Sequence, residues 1–396
     1  MTNIHQIFQK YFNNSHLEAL EIFKVPILYL KLLGIWVPSD SSKFYKFYAY
    51  FMQTFFLYIF TLLMGAAVFE KSTLNEIAEV MTFFFTFFVK VLKCINLVIN
   101  VDKFLLLLAD IKKAIIYCGL PKIYIDKHLS FGKKLFLAFW LPTFVTVGTG
   151  TVLCFVNGKL SYPIWLPYDP SKENSVFLFY LSAFYQSFET LLYPTANVMM
   201  DTVSLLPIVY LVAMLEHLCD KLENLKRQKM IGRINKNTKT DNQNEFLNCV
   251  IYQRTILKLT NQTEKIFSKI IAIQGFFMSI ILCTVAFILT LLSFPNDFGV
   301  FVKFFTYSMS MLLQIVIPCY YGTLLTLTHD KISLSLFHSD WIFEEVKHQR
   351  NVKILIEYSK KTLKFKAFKI FEIDLETFMR ILNSAYSLFA VFKRIN

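Results

Sequence analysis

Two acidic side chains inside an apolar stretch are the first candidates for chemistry in this sequence. Glu189 and Asp201 both fall within the apolar run 176–213. An ionisable group in such a run is costly and often marks a path for ions or a substrate. The alternative is structural: the carboxylate is hydrogen-bonded to a neighbouring helix, or it lies in the solvated cytosolic part of a long helix. For Asp201 we favour the structural interpretation.

Residue patterns typical of enzymes or metal sites are missing from the sequence. The seven histidines form no HxxxH or HExxH pair of the kind that binds zinc. The seven cysteines include no CxxC, and most lie in apolar runs or at their ends, where buried free thiols are expected. There is no glycine-rich phosphate loop. We therefore expect neither an enzyme nor a bound cofactor or metal.

Aromatic and small hydroxyl side chains are concentrated in three of the apolar runs. A pocket for a small apolar ligand needs aromatic walls with a few hydrogen-bonding groups. A single phenylalanine here more often faces lipid or packs against a helix, but the group as a whole predicts a pocket. The residues selected as ligand contacts are Phe84, Phe88, Thr146, Gly150, Tyr180, Phe184, Tyr185 and Phe188.

The composition indicates which elements hold these residues. Hydrophobic residues make up 55% of the 396 and charged residues only 17%, whereas soluble domains have about 25% charged residues. Most of six apolar runs are long enough to cross a bilayer as helices, and no alternation typical of a β-barrel is visible. The runs are 47–69, 80–89 with its continuation past Lys90 and Lys93, 135–157, 176–213, 270–294 and 304–328.

A seventh span is expected near the end of the chain. The apolar run 381–392 is short, and the segment 369–380 before it carries five charged residues. A helix this polar fits inside a protein bundle or along a water-filled path better than against lipid. The stretch 22–37 is interrupted by charges and a proline, and it is expected to be interfacial or re-entrant.

The distribution of basic residues predicts the orientation, because cytosolic loops retain lysine and arginine. The loops after the second, fourth and sixth helices hold most of the basic residues. The predicted fold class is therefore an all-α integral membrane protein with seven transmembrane helices, a cytosolic N-terminus and an extracellular C-terminus. Lys90 and Lys93 are predicted to extend toward the cytosolic surface.

Motifs in the last quarter of the chain suggest a family. Cys319-Tyr320-Tyr321-Gly322 in the sixth helix is followed by Ser339-Asp340-Trp341 in the next loop, and Ala385-Tyr386-Ser387 comes near the end. These stretches resemble the insect odorant receptors, whose closing signature is Ser-Tyr-Ser. Ser335 and Phe337 stand where that family usually has Ala-x-Tyr before the tryptophan.

The resemblance implies a function that residue spacing alone does not show. Such receptors are ligand-gated, non-selective cation channels that assemble as tetramers with a shared co-receptor subunit. A small apolar volatile binds between helices in the outer half of the membrane, and the last helix lines the pore. Val391 and Ile395 match the hydrophobic gate. Lys393 and Arg394 depart from the largely uncharged co-receptor end, so a partner is expected to supply most of the pore.

The chain is accordingly divided into four parts. They are a cytosolic N-terminus with an interfacial or re-entrant helix (1–46), a ligand-binding bundle of helices one to four (47–213), a cytosolic loop (214–264), and helices five to seven for subunit packing and the pore (265–396). The resemblance places the protein in the plasma membrane of an olfactory neuron dendrite, surrounded by lipid. The basic residues lie in loops between apolar runs, so no nucleic-acid partner is expected.

Two alternative functions remain open from the sequence. A secondary transporter would use Glu189 and Asp201 as coupling sites, although transporters usually carry internal repeats and none is visible. A metabotropic receptor with seven helices is the third possibility, and it would have its N-terminus outside. The two termini therefore separate the channel from the metabotropic receptor.

Overall fold

The computed structural model describes residues 22–168, 175–225, 236–292, 297–368 and 370–395. Within these ranges the chain is almost entirely helical, with one short hairpin. The elements are α1 (Lys24–Leu32), α2 (Lys43–Glu70), α3 (Leu74–Cys118), α4 (Lys122–Asn157), α5 (Val176–Asn224), α6 (Lys236–Leu291), α7 (Phe298–His338), α8 (Val346–Ser359), β1 (Lys366–Ala367), β2 (Phe371–Glu372) and α9 (Leu375–Ile395).

Six helices of the described part, α2 to α7, are long and apolar enough to cross a membrane. They coincide with the six predicted apolar runs. The fourth run continues as one helix through Pro194 and Pro207. The chain is therefore a multi-pass membrane protein. The seventh predicted span is the helix α9, which has 21 residues and lies outside this set of six.

Several helices continue far beyond the length of a span. α5 has 49 residues, and at about 1.5 Å per residue it is more than twice as long as a hydrocarbon core of about 30 Å. The segment 214–264, expected to be a cytosolic loop, contains the end of α5 and the beginning of α6. Buried apolar residues recur there at helical spacing, as at Leu215, Leu218 and Leu222, which gives α5 a reason to continue.

The helix α5 is the centre of the bundle. In its most apolar window 78% of the residues are buried, against 28–50% in the other five membrane-length helices. It packs extensively on α7, α4 and α6, and the short helix α1 also lies against it. Side chains of α5 therefore reach most parts of the interior, including the cavity described below.

The chain reverses between α1 and α2 through a glycine. Gly34 has a φ of +72°, and an added Cβ would lie 2.6 Å from the Cα of Ala49. The hydroxyl of Tyr45 donates to the carbonyl oxygens of Lys31 and Trp36 at 2.7 and 2.8 Å. These contacts fold α1 back against the bundle instead of letting it extend away from it.

Candidate functional site

A small cavity lies between α3, α4, α5 and α7 and is also lined by one residue from the segment after α4. Its free volume is about 60 Å³, where a single water needs about 10–15 Å³ by the same kind of measure. Aromatic rings and hydroxyl groups form most of its wall. The lining residues are Phe83, Thr86, Phe87, Lys90, Phe139, Thr143, Thr146, Val147, Tyr162, Thr190, Pro194, Asn197, Val198, Tyr307, Ser310 and Met311.

Helical spacing explains why these residues meet. On α3 the lining residues are Phe83, Thr86, Phe87 and Lys90, which occupy positions i, i+3, i+4 and i+7 of one helix face. The residues from α4, α5 and α7 follow the same three- and four-residue steps. The cavity is therefore the place where one mixed aromatic and hydroxyl face from each of four helices converges.

Hydroxyl groups connect the helices around the cavity. Thr146 on α4 and Thr306 on α7 share a hydrogen bond of 2.8 Å, and Thr143 donates to Ser310 at 3.2 Å. Tyr307 on α7 is hydrogen-bonded to Thr86 on α3. Since α7 is linked in this way to both α3 and α4, its hydroxyl face is held in register with them.

The segment after α4 forms a lid on the cavity. Gln186 on α5 accepts from the backbone N–H of Ser161 at 3.1 Å and donates to the carbonyl of Tyr162 at 2.8 Å. Lys303 donates to the carbonyl of Ser161 at 2.7 Å. The ring of Tyr162 meets Phe83 edge to face at 4.9 Å. The lid is thus fixed by buried polar contacts at its backbone and by an aromatic contact at its tip.

Two buried lysines of α3 are paired with acidic residues of α5. Lys90 Nζ lies 3.1 Å from Glu189 Oε1, and Lys93 Nζ lies 2.6 Å from Asp201 Oδ1. The second carboxylate oxygen of Asp201 accepts from Gln314 at 2.7 Å. Asp201 is therefore hydrogen-bonded to two other helices, which confirms the structural interpretation.

The prediction that Lys90 and Lys93 extend to the cytosolic surface is wrong. Their exposed fractions are 2% and 5%. Leaving a charge unpaired inside a protein is very costly, but a carboxylate at hydrogen-bonding distance offsets much of that cost. Glu189 and Asp201 lie twelve residues apart on α5 and supply these partners, so the lysines remain at bundle depth.

Of the predicted ligand contacts, Thr146 lines the cavity and Gly150 lies beside its lid. An added Cβ at Gly150 would be 3.0 Å from the hydroxyl of Tyr162. Phe84 and Phe88 lie on another face of α3: the ring of Phe84 packs on Gly65, and that of Phe88 lies 5.4 Å from Phe277 of α6. These two rings do not line the cavity.

The four predicted contacts on α5 lie outside the cavity wall. Tyr180 and Phe184 are 49% and 70% exposed. The hydroxyl of Tyr185 donates to the carbonyl of Phe55 at 2.7 Å, and the ring of Phe188 lies 4.5 Å from that of Phe56. Tyr185 and Phe188 therefore belong to a separate aromatic cluster with α2, which Phe184 joins through Phe188. Tyr180 stacks instead on Phe155 of α4.

The sequence profile of the 7tm Odorant receptor family matches residues 73–386. This chain belongs to the insect odorant receptor family. The receptor is 20% identical to Odorant receptor 94a of Drosophila melanogaster over 97% of its own length and 100% of that protein. It is 21% identical to Odorant receptor Or1 of Anopheles gambiae over 93% and 94% of the two chains.

The fold of the receptor is that of a solved insect olfactory receptor. The structure of OR5 from Machilis hrabei in complex with eugenol superposes with a TM-score of 0.81. The alignment covers 97% of this chain and 100% of the other, at 16% sequence identity. At that identity the match establishes the fold and not the ligand.

The glycine of the odorant receptor motif has a packing role. Gly322 on α7 faces the backbone carbonyl of Ile373, and an added Cβ would overlap that oxygen. The hairpin before α9 therefore lies directly on α7. In the same hairpin a 2.7 Å hydrogen bond from Lys364 lowers the pKa of the Glu372 carboxyl. These contacts fix where α9 begins.

In this receptor α9 packs by one face only. Ile381, Ala385, Phe389 and Phe392 lie toward α6 and the core. The opposite face is exposed in the single chain, including Val391 at 55%. The helix continues to Ile395, whose side chain lies outside the described part.

Proposed function

We propose that this receptor is the odorant-binding subunit of a heteromeric, ligand-gated, non-selective cation channel. The observation that carries the proposal is the cavity between α3, α4, α5 and α7. Aromatic walls with hydroxyl groups suit a small volatile with one polar atom. The free volume of about 60 Å³ requires either a very small ligand or outward movement of side chains when a larger one binds.

The exposed face of α9 supports its role as the pore helix. Glu376, Arg380, Asn383 and Ser387 are all exposed and are separated by three or four residues. A polar stripe of this kind is too costly to face lipid but suits a water-filled path between subunits. Val391 continues the same stripe one turn later. In an assembly with the α9 helices around a pore, the residues at this position would form an apolar constriction, where a pore can close by dewetting.

Helix packing supplies a route from the cavity to α9. The cavity wall helix α3 packs along α6, and α6 packs along α9. A ligand that binds the open state more tightly than the closed state shifts the equilibrium toward opening. We propose that outward movement of α3 and α7 side chains is passed to α9 through these contacts.

The remaining parts of the proposal follow from the charge distribution and the resemblance. The basic loops favour a cytosolic N-terminus and an extracellular C-terminus in the plasma membrane. Lys393 and Arg394 follow Val391 after one intervening residue, Phe392, and positive charge beside a cation path is unfavourable. A co-receptor subunit would therefore supply most of the conducting surface.

The secondary transporter is less well supported than the channel. Its proposed coupling sites, Glu189 and Asp201, are each paired with a buried lysine. A carboxylate neutralised in this way is a poor site for a coupling cation, because the ammonium repels it.

Electrical recording tests the proposed function directly. Whole-cell currents should be measured in cells that express this receptor with the co-receptor, the receptor alone, or the co-receptor alone, against a panel of volatiles. We expect volatile-evoked cation currents with conductance steps too large for a transport cycle, and a ligand profile that only the pair shows. Currents that require intracellular nucleotides, or the absence of evoked current in the pair, would contradict the channel.

A further inference from the structure

Lys90 is the one charged residue that lines the cavity. The cavity wall is otherwise formed by rings, hydroxyls, aliphatic groups and the amide of Asn197. Lys90 Nζ lies 3.1 Å from Glu189 Oε1 and 3.6 Å from the centre of the Phe87 ring. These two contacts hold the ammonium group in place, and it is a strong hydrogen-bond donor on a residue that lines the space a ligand would fill.

The bonding capacity of this pair is only partly used. An ammonium group has three N–H donors, and the hydrogen bond to Glu189 is the one that Lys90 makes among the described residues. The Phe87 ring takes a second direction through a cation–π contact, and the centre of the Tyr193 ring lies further away at 5.9 Å. Glu189 Oε2 is buried and has no hydrogen-bond partner in the described part of the chain. The pair therefore retains unmet hydrogen-bonding capacity inside the bundle, which is unfavourable.

Lys93 gives a direct contrast, one helical turn further along α3. Its ammonium donates to Asn197 at 3.1 Å and to Asp201 at 2.6 Å. Asp201 is bonded in addition by Gln314. Lys93 does not line the cavity. Two buried lysines on the same helix thus differ in whether their donors are taken up within the protein.

We propose that Lys90 determines ligand specificity by donating a hydrogen bond to an oxygen acceptor on a neutral odorant, such as a ketone, aldehyde or ester. This inference rests on the proposed function of the cavity. A lysine cannot accept a hydrogen bond while charged, so it selects acceptors. Glu189 already neutralises Lys90, so a carboxylate ligand would meet a second anion. A hydrocarbon of the same shape would leave the Lys90 donor unbonded.

Isosteric probes separate the oxygen from the shape of the ligand. Benzaldehyde and styrene differ by exchange of a carbonyl oxygen for a CH₂ group, as do acetophenone and α-methylstyrene. We expect the carbonyl member of a pair to activate the receptor and co-receptor at a concentration on the order of tenfold to a hundredfold lower than the hydrocarbon. The comparison uses the unaltered receptor, so it does not depend on any variant folding.

Variants then assign the preference to Lys90. The double variant Lys90→Met/Glu189→Gln removes both charges, so no buried carboxylate is left without a partner. We expect it to respond to the two members of a probe pair within about threefold, a difference of less than one ordinary hydrogen bond. The matched control is Lys93→Met with Asp201→Asn, which removes the other pair and should keep the carbonyl preference.

Thermal stabilisation of the purified receptor and co-receptor complex by the same probes gives a measure of binding that does not require current. Stabilisation by the carbonyl probes without evoked current would contradict the channel and leave the assignment of Lys90 intact. Equal potency within each probe pair would overturn the assignment. A carbonyl preference that survives in the Lys90 variant, or carbonyl probes that neither bind nor activate, would overturn it as well.

Discussion

At the level of single residues, hydroxyl groups shape the cavity as much as aromatic rings do. Thr146 lines it and is hydrogen-bonded to Thr306 across to α7. A ligand with a polar atom can compete for such a hydroxyl, whereas a wholly apolar wall offers only contact area. Removing one hydroxyl should therefore change ligand response more than it changes folding.

The variant Thr146→Val keeps the shape of the side chain and removes its hydroxyl. We expect the half-maximal concentration of an activating volatile to change by about twofold to tenfold, the range of one ordinary hydrogen bond. Dose–response recording with the co-receptor provides the measurement. Thr151→Val, on the same helix but outside the cavity wall, is the control and should leave the response unchanged. Equal shifts in both variants would contradict a direct role of Thr146.

A second prediction concerns the buried pair of Lys93 and Asp201. Lys93→Met alone leaves the carboxylate of Asp201 without its ammonium, which should lower stability by about 3–5 kcal/mol. Adding Asp201→Asn should recover most of that loss, because no unpaired charge remains. Melting temperatures of the purified receptor, or the amount reaching the cell surface, measure both steps. A double variant less stable than the single one would show that the pair is not the relevant interaction.

At the level of elements, the close contact of the hairpin with α7 decides where α9 begins. Gly322 leaves room for the carbonyl of Ile373, and the backbone N–H of Leu375 then bonds to Thr323 at 3.0 Å. The odorant receptor motif around Gly322 is therefore a docking site for the start of the proposed pore helix. Its effect on ligand response would be indirect, through the placement of α9.

Gly322→Ala should displace the hairpin, because the added methyl group meets a backbone oxygen rather than a flexible side chain. We expect strongly reduced current and reduced assembly with the co-receptor, measured by recording and by co-purification. Gly148→Ala is the matched control, since nothing lies within 4 Å of an added Cβ there. Alanine also favours a helix over glycine by about 1 kcal/mol. Normal current from Gly322→Ala would contradict the docking role.

At the level of the whole molecule, one face of α9 is left uncovered in the single chain. One face of this helix packs on α6 and the core, while the polar stripe with Glu376 and Ser387 is exposed. Such a surface is tolerated if neighbouring subunits and water cover it. The isolated chain would have to place the stripe against lipid, so assembly is expected to be a condition of stability in the membrane.

The position of the two termini tests the proposed topology of the whole chain. Epitope tags should be placed at each end and stained in intact and in permeabilised cells. We expect the C-terminal tag to be accessible in intact cells and the N-terminal tag only after permeabilisation, because basic loops are retained in the cytosol. A C-terminal tag that is accessible only after permeabilisation would contradict both the proposed topology and the proposed position of α9 in the pore.

The sequence by itself determined the class, the six apolar helices and, through its C-terminal motifs, the family. Hydropathy is a property of each segment by itself, so a membrane-length helix can be recognised without knowing which other helices pack against it. The sequence analysis did not predict that α5 and α6 extend into 214–264. The segment is too polar to stand out by hydropathy, and only the helical spacing of its apolar residues indicates a helix there.

Only the tertiary structure decided which side chains meet. The cavity uses Phe83 and Phe87 of α3, while the neighbouring Phe84 and Phe88 face α2 and α6. One residue along a helix is a turn of about 100°, so the rotation of each helix against its neighbours selects the lining set. The pairing of Lys90 with Glu189 has the same origin, because the two residues lie on different helices and meet only when α3 packs against α5.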